Sequence, residues 1–246
     1  TNSPRLFLTI NSPLKTSKTD LSCFESFDGS ISADLDSVGN SFIWKDQSGA
    51  VIPVTSANLN NISAGIYSVE VSGIAGSCPV AKTSFEITEP EEIYVTSTYA
   101  DAGCFGGNDG LATITSVIGG VGSAYTYDWS DGQTGTTANS LTAGSYTVSV
   151  TDETGCVKQE SFVINERAEA IINSSETDVC FGEANGEIAA TVVSGPSTIY
   201  AYEWSNGDTL ETISNLAPAL YSLTVTDEFG CETIMNYEID EEVEII

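Results

Sequence analysis

Apolar and polar residues alternate with a period of two along much of this chain. The clearest stretch is residues 146–150, where Tyr146, Val148 and Val150 fall on one face of an extended segment and polar residues fall on the other. A period of two is typical of a β-strand with one buried face, whereas a helix would repeat every ~3.6 residues. Short alternating segments separated by Gly, Asn and Asp turns therefore predict an all-β protein.

One ordered set of landmarks occurs three times. A Cys-Phe pair is followed by a Trp, by a Tyr that opens an alternating segment, and by a second Cys. From the second copy to the third, every landmark is displaced by 75 or 76 residues, which indicates a tandem array of units with the same core. The landmarks are Cys23, Trp44, Tyr67 and Cys78; Cys104, Trp129, Tyr146 and Cys156; and Cys180, Trp204, Tyr221 and Cys231.

The repeat divides the 246 residues into three predicted domains, 1–89, 90–167 and 168–246, of which the first is divergent. About six or seven short strands per domain, with frequent turn signals, favour a β-sandwich. A Leu-led corner running into Tyr resembles the tyrosine corner of immunoglobulin-like sandwiches. We therefore predict three tandem immunoglobulin-like β-sandwich repeats. Since no Gly/Ser-rich spacer separates them, we expect restricted hinges and an extended rod.

The aromatic landmarks have predicted core roles. One Trp per repeat, at an alternating position, indicates a central core residue, and stacking on a sugar is the functional alternative. The Tyr hydroxyl of each corner is expected to bond to backbone within the corner. The core candidates are Trp44, Trp129, Trp204, Tyr67, Tyr146 and Tyr221.

Composition excludes several classes of function. The chain has 35 acidic and 7 basic residues, a formal net charge of −28, so its surface repels nucleic acid and anionic membranes. It has no His, the commonest general base and transition-metal ligand. No apolar run is long enough to predict membrane insertion. Paired cysteines in small repeats indicate an extracellular, oxidising compartment, and we expect a mature fragment of a longer exported protein.

Three runs of the second domain combine turn glycines with aromatic and acidic residues. They are Cys-Phe-Gly-Gly-Asn-Asp-Gly (104–110), Tyr-Thr-Tyr-Asp-Trp-Ser-Asp-Gly (125–132) and Leu-Thr-Ala-Gly-Ser-Tyr-Thr-Val-Ser-Val-Thr-Asp (141–152). These runs resemble the SprB-type repeat of large gliding adhesins and other surface proteins of Bacteroidetes. The third domain matches well, with Ala219 in place of the corner Gly, whereas the first lacks the Thr-Asp before Cys78. The resemblance implies a cell-surface filament exported by the type IX system.

We therefore predict a structural stalk segment of a long bacterial cell-surface adhesin, involved in gliding motility and surface attachment. Its partners would be neighbouring repeats of the same long chain. The alternative is an array of carbohydrate-binding modules that recognise surface polysaccharide. The acid pairs Asp152/Glu153 and Asp227/Glu228 could in principle hydrolyse glycosides. We interpret them as turn residues of an exposed hairpin, so neither an enzyme nor a cofactor is predicted.

The six cysteines have two possible pairings. In an immunoglobulin-like path the first Cys of a repeat lies between strands one and two, and the second lies in the last hairpin, at the opposite end. A strand of seven residues spans roughly 23 Å, whereas a disulfide needs Cα atoms within about 7 Å. We therefore favour Cys23–Cys156 and Cys104–Cys231, between repeats, with Cys78 and Cys180 left for neighbouring repeats. Pairing within repeats stays open, as Cys23–Cys78, Cys104–Cys156 and Cys180–Cys231.

Two weaker signals concern modification and metal binding. Carboxylates gather where repeats should meet, and converging oxygens could hold Ca²⁺, although no loop has EF-hand spacing and a solvated acidic surface is the simpler interpretation. The candidates are Glu89, Asp101, Asp109, Asp227 and Glu228. Asp36-Ser37-Val38 and Asp208-Thr209-Leu210 resemble the O-glycosylation signal of Bacteroidetes, which makes Ser37 and Thr209 candidate acceptors.

Overall fold

The computed structural model describes residues 14–35, 39–72 and 79–241, and in these ranges the chain forms strands, turns and loops with no helix. A helix capable of crossing a membrane is accordingly not found in this part of the chain. The first domain contains β1 (Lys15–Thr19), β2 (Gly29–Asp34), β3 (Ser41–Lys45), β4 (Val51–Ile52), β5 (Asn58–Ile62), β6 (Gly65–Ser72) and β7 (Pro79–Ile87). The second contains β8 (Glu91–Ala100), β9 (Gly110–Gly120), β10 (Thr126–Trp129), β11 (Thr137–Leu141), β12 (Gly144–Thr151) and β13 (Val157–Ile164). The third contains β14 (Ile171–Thr177), β15 (Gly186–Ser194), β16 (Tyr200–Trp204), β17 (Thr212–Leu216), β18 (Ala219–Asp227) and β19 (Glu232–Ile239).

Each domain builds the same two sheets. One sheet has the order β1-β2-β5, β8-β9-β11 or β14-β15-β17. The other has the order β4-β3-β6-β7, β10-β12-β13 or β16-β18-β19. The first, second and fourth main strands thus share one sheet, and the third, fifth and sixth share the other, as in an immunoglobulin sandwich. The prediction of an all-β, immunoglobulin-like fold is confirmed.

The buried face of each sheet follows the alternation seen in the sequence. In β6 the side chains of Tyr67, Val69 and Val71 are buried, and the residues between them are less buried. The antiparallel register of β6 and β7 sets Tyr67 opposite Phe85. Because a one-residue slip would turn every apolar side chain outward, this pattern fixes the register.

The three tryptophans are central core residues. Trp44, Trp129 and Trp204 are 0%, 4% and 2% exposed, so the alternative of stacking on a sugar is wrong. Each indole N–H donates at 2.8–2.9 Å to a backbone carbonyl of the loop that leads into the fourth main strand, so the one polar group of the buried ring has a partner. The ring centroids lie 6.4, 5.4 and 5.5 Å from those of Phe85, Phe162 and Tyr237.

The corner tyrosines make the hydrogen bond expected of a tyrosine corner. In all three domains the Tyr hydroxyl donates to the backbone carbonyl four residues earlier, at 3.1 Å. The pairs are Tyr67 with Ser63, Tyr146 with Thr142, and Tyr221 with Ala217. The bond ties each corner to the start of its strand, and it uses the hydroxyl internally.

Tertiary contacts divide the chain into two compact units, and the boundary passes through the second domain. The first unit comprises Thr1–Thr96, Ser116–Tyr127 and Ser149–Glu160. The second comprises Ser97–Thr115, Asp128–Val148 and Ser161–Ile246. The compact units therefore cut across the three domains read from the sequence, and each inter-repeat link described below lies inside one unit.

Candidate functional site

Both disulfides join one repeat to the next. Cys23 pairs with Cys156 and Cys104 pairs with Cys231, with Cα atoms 5.6 and 5.4 Å apart. These are the inter-repeat pairs favoured from the sequence, and the within-repeat pair Cys104–Cys156 is absent from the described residues. Cys180 is a free, exposed thiol. Cys78 lies outside the described residues.

Each disulfide connects the same two structural elements. One is the loop between the first two strands of a repeat, here called the Cys-Phe loop; the three loops span residues 20–28, 101–109 and 178–185. The other is the turn between the last two strands of the following repeat, here called the Cys hairpin; the two described hairpins span residues 152–156 and 227–231. The candidate site is the pair of junctions that these elements form.

Two carboxylates fasten every Cys-Phe loop to the residues that follow the last strand of its own repeat. An Asp at the start of the loop accepts the backbone N–H of the residue just after that strand, and a Glu beyond the strand accepts the N–H two residues after the Cys. The Asp bonds are Asp20 with Thr88, Asp101 with Asn165, and Asp178 with Asp240, at 2.8–3.0 Å. The Glu bonds are Glu89 with Glu25, Glu166 with Gly106, and Glu241 with Gly182, at 2.7–2.8 Å.

A third carboxylate stabilises the first two loops from within. Asp28 accepts the Ser22 N–H at 3.1 Å and the Ser26 hydroxyl at 2.6 Å. Hydrogen bonds from Ser22 and Ser26 lower the pKa of Asp28 to about 2. Asp109 accepts the Gly103 N–H at 2.8 Å in the same way. The cysteine is thus held on a loop whose backbone is fixed at several points.

The Cys hairpin of the second repeat is built around a buried carboxylate. Asp152 Oδ1 accepts the N–H groups of Thr154 and Cys156 at 2.9 Å, and Oδ2 accepts the Val121 N–H at 2.8 Å. Burial opposes ionisation, but the N–H groups of Val121 and Cys156 outweigh it, so the pKa of Asp152 lies below its ordinary value. Gly155 supplies the positive φ of 94° that the turn requires.

The third repeat has the same hairpin with an incomplete set of hydrogen bonds. Asp227 Oδ1 accepts the N–H groups of Phe229 and Cys231 at 2.8 and 2.9 Å, but its buried Oδ2 has no partner among the described residues. Pro196 stands 31 residues before Asp227, as Val121 stands before Asp152. Proline has no backbone N–H, so this substitution removes the donor.

Asp152 and Asp227 are turn residues of the hairpin, as predicted, but they are buried and not exposed. Their side chains are 6% and 8% exposed, because each turn folds its backbone N–H groups onto the carboxylate. Their neighbours Glu153 and Glu228 are exposed as expected.

The two junctions use different basic residues. At the first, Lys158 Nζ lies 2.7 Å from Glu92 Oε1 beside a cleft of about 220 Å³ lined by Cys23 and Cys156. This ion pair lowers the pKa of Glu92 and raises that of Lys158. At the second, the Arg167 guanidinium lies 3.7 Å from the centroid of the Phe229 ring. Such a cation–π contact contributes about 0.5–1 kcal/mol at an exposed position. Sequence reasoning missed this pair, although Arg167 is the last basic residue of the chain.

The calcium candidates do not converge. Glu89, Asp101 and Asp109 hold the Cys-Phe loops, Asp227 holds a Cys hairpin, and Glu228 accepts the Ser197 hydroxyl at 2.9 Å. Residues 14–35, 39–72 and 79–241 contain no group of three acidic, Cys or His side chains arranged to hold a metal ion. Of the glycosylation candidates, Thr209 is exposed and Ser37 lies outside the described residues.

Two segments of the chain match the family model described as the SprB repeat, residues 96–134 and 173–209. They contain the second and third Cys-Phe loops and extend past Trp129 and Trp204. The chain carries SprB repeats. A search of the curated proteins gave no match to this chain.

Solved structures similar to this chain contain immunoglobulin domains. The N-terminal eight Ig domains of Down Syndrome Cell Adhesion Molecule isoform 1.30.30 have a TM-score of 0.42 and 14% identity, covering 94% of this chain and 37% of that one. The full ectodomain of mouse nectin-like molecule 4 has a TM-score of 0.33 and 10% identity, covering 96% and 97%. The SprB-repeat chain thus spans little more than a third of the first of these. Its fold is assigned from its own sheet order.

Proposed function

We propose that this chain is a stalk segment of a long bacterial cell-surface adhesin that bears tension during gliding motility and surface attachment. The observation that carries the proposal is the pair of disulfides linking successive repeats, of which the second and third match the SprB model. A disulfide within a repeat would stabilise that repeat alone. A disulfide between repeats limits how far the repeats can separate under load.

The covalent path supports a load-bearing role. The disulfide Cys23–Cys156 closes a covalent loop with a sequence separation of 133, and Cys104–Cys231 closes one with a separation of 127. The two covalent loops interleave, because Cys104 lies inside the first and Cys156 lies inside the second. Without disulfides, the fully extended chain would reach about 860 Å. With both intact, the shortest covalent path allows about 320 Å. Under load, the oxidised chain could therefore extend to little more than a third of the contour length of the reduced chain.

The same bonds support a location outside the cell. Disulfides persist in oxidising compartments and are rare in the cytosol, so a chain that depends on them for mechanical strength is suited to the bacterial surface. The net charge of −28 disfavours nucleic acid and anionic membrane as partners and leaves the neighbouring repeats as the contacts that the proposal requires.

Force spectroscopy on the full chain, pulled from its two termini, tests the proposal. We expect a maximal extension of about 320 Å for the oxidised chain and about 860 Å after reduction. Replacing the Cys104–Cys231 pair by serines should give about 400 Å, and replacing the Cys23–Cys156 pair should give about 420 Å. The matched control is Cys180→Ser, which leaves both bonds and should not change the extension. An oxidised chain that extends as far as the reduced one would contradict the proposal.

A further inference from the structure

The Cys-Phe loop of the third repeat has the fold of the other two, but its cysteine is unpaired. In each loop the N–H three residues after the Cys donates to the Cys carbonyl, at 3.2 Å for Cys23 and 3.0 Å for Cys104 and Cys180. The Glu241 carboxylate holds the third loop at 2.7 Å, as Glu166 holds the second. The loop is therefore formed without a disulfide partner.

The third loop differs from the second in its spacing before the cysteine and in having Asn185 where the second has Asp109. One residue fewer separates Asp178 from Cys180 than separates Asp101 from Cys104. As a result, the Cys180 N–H itself donates to Asn185 Oδ1 at 3.3 Å, whereas Gly103 makes the corresponding bond to Asp109. The turn that follows the cysteine is unchanged, and so is the hydrogen bond from its backbone to the Glu carboxylate beyond the last strand.

We infer that the third Cys-Phe loop is a docking site for the Cys hairpin of a further SprB repeat, which closes a third inter-repeat disulfide at Cys180. The inference rests on the proposed function and identifies the partner of one site. Its basis is continuity with two interfaces in the same chain, where equivalent loops each receive a hairpin of the form Asp-x-x-Gly-Cys. Phe24 and Phe105 line the clefts beside those disulfides and remain 39% and 54% exposed there, and Phe181 of the third loop is 60% exposed.

The bond would form by thiol–disulfide exchange with a disulfide-bearing oxidant of the extracytoplasmic compartment. The Cys180 thiolate attacks one sulfur of the oxidant and gives a mixed disulfide, and the other oxidant sulfur leaves as a thiolate. The hairpin thiolate then attacks the Cys180 sulfur and releases the oxidant as a dithiol. Two thiols become one disulfide, and their two electrons and two protons reduce the oxidant.

A four-repeat chain tests the inference directly. Appending a copy of residues 172–246 after Ile246 keeps the 75-residue spacing between successive hairpin cysteines. Non-reducing peptide mapping should then recover a peptide that joins Cys180 to the added hairpin. The matched control replaces the added hairpin cysteine with Ser, and in it Cys180 should stay free. A free Cys180 in the four-repeat chain, with Cys23–Cys156 and Cys104–Cys231 intact, would overturn the inference.

A second measurement uses the existing chain and does not depend on folding of an added repeat. The probe is a peptide copying residues 224–234, with its cysteine activated as a mixed disulfide with 2-thiopyridine, and mapping identifies the thiol that reacts. Docking should make Cys180 react about tenfold faster with this peptide than with a scrambled one. Glu241→Gln should reduce that preference while leaving reaction with a small aromatic disulfide unchanged. Equal rates for both peptides would refute docking, while the extension measurements on the existing disulfides would still stand.

Discussion

The Cys hairpins of the second and third repeats carry nearly the same sequence and differ in how completely their buried Asp is satisfied. Asp152 has hydrogen-bond donors for both carboxylate oxygens, whereas Oδ2 of Asp227 is buried with no donor in the described part of the chain. The cause lies outside the hairpin, because the donor to Asp152 is the N–H of Val121 and the third repeat has Pro196 in that place. A turn motif therefore does not determine its own stability, since a loop 31 residues away supplies part of the cap.

The third hairpin has lost a second donor and gained a different contact. The Thr154 hydroxyl donates to Asp152 Oδ1 at 2.8 Å, and the equivalent Phe229 has no hydroxyl. Its ring instead faces the Arg167 guanidinium, which belongs to the segment between the second and third repeats. The second hairpin is thus stabilised mainly by hydrogen bonds to Asp152. The third is stabilised partly by the contact of Phe229 with Arg167.

Removing each carboxylate gives the largest contrast between the hairpins. Asp152→Ala leaves three backbone N–H groups without an acceptor and should lower the local free energy of unfolding by about 3 kcal/mol. Asp227→Ala strands two N–H groups and removes an unsatisfied oxygen, so we expect a loss of about 1–2 kcal/mol. Hydrogen exchange of the Cys156 and Cys231 amides measures both. Equal loss of protection in the two variants would contradict the account given for Pro196.

Changing the residue at the donor position, Val121 or Pro196, should have a smaller effect on the stability of the hairpins. Pro196→Ala restores an N–H toward Asp227 and should stabilise the third hairpin by about 1 kcal/mol. Val121→Pro should destabilise the second hairpin by about 1–2 kcal/mol. Val121→Ala is the matched control, because it keeps the N–H and removes only the side chain. If Val121→Ala destabilised as much as Val121→Pro in urea unfolding, side-chain packing and not the hydrogen bond would explain the difference.

Much of the fold follows from short-range patterns in the sequence. Alternation identified the buried faces of β6 and β12, and repetition placed one Trp and one corner Tyr in every domain. The inter-repeat cysteine pairs followed from strand length, because a strand separates the Cys-Phe loop from the hairpin of the same repeat. These predictions needed only the period of the apolar residues and the distance that a strand spans.

The rest could not be predicted from the sequence because its partners are distant backbone groups. Asp152 looks like an ordinary turn residue until the Val121 N–H is known to face it, and no pattern in side chains shows where a backbone N–H points. The hydrogen bond from the Gly106 N–H to the Glu166 carboxylate spans 60 residues and could not be predicted for the same reason. The Arg167–Phe229 contact depends on how a linker leaves one repeat, which strand alternation does not determine.

A core position sharpens the comparison of the same two repeats with a smaller effect. Tyr237 packs on Trp204 as Phe162 packs on Trp129, but the Tyr237 hydroxyl is buried and has no hydrogen-bond partner among the described residues. Its burial raises the pKa of Tyr237, against a weaker opposing effect of the nearby Ser174. Tyr237→Phe should therefore stabilise the third repeat by up to about 1 kcal/mol, and Phe162→Tyr should destabilise the second. A loss of stability in Tyr237→Phe, measured by urea unfolding, would show that the hydroxyl is satisfied.

The smallest effect is in the acid response of the second hairpin. Because folding depresses the pKa of Asp152, this group contributes stability above its unfolded pKa of about 3.9 and loses that contribution as the pH falls through the folded pKa. Amide protection of Cys156 should therefore decline below about pH 4. Asp152→Asn should flatten this decline. Val121→Pro should move it toward higher pH, because one of the donors that hold the carboxylate ionised is gone, while Val121→Ala should leave it in place. An acid profile that is the same in all four proteins would show that Asp152 does not couple protonation to the stability of the junction.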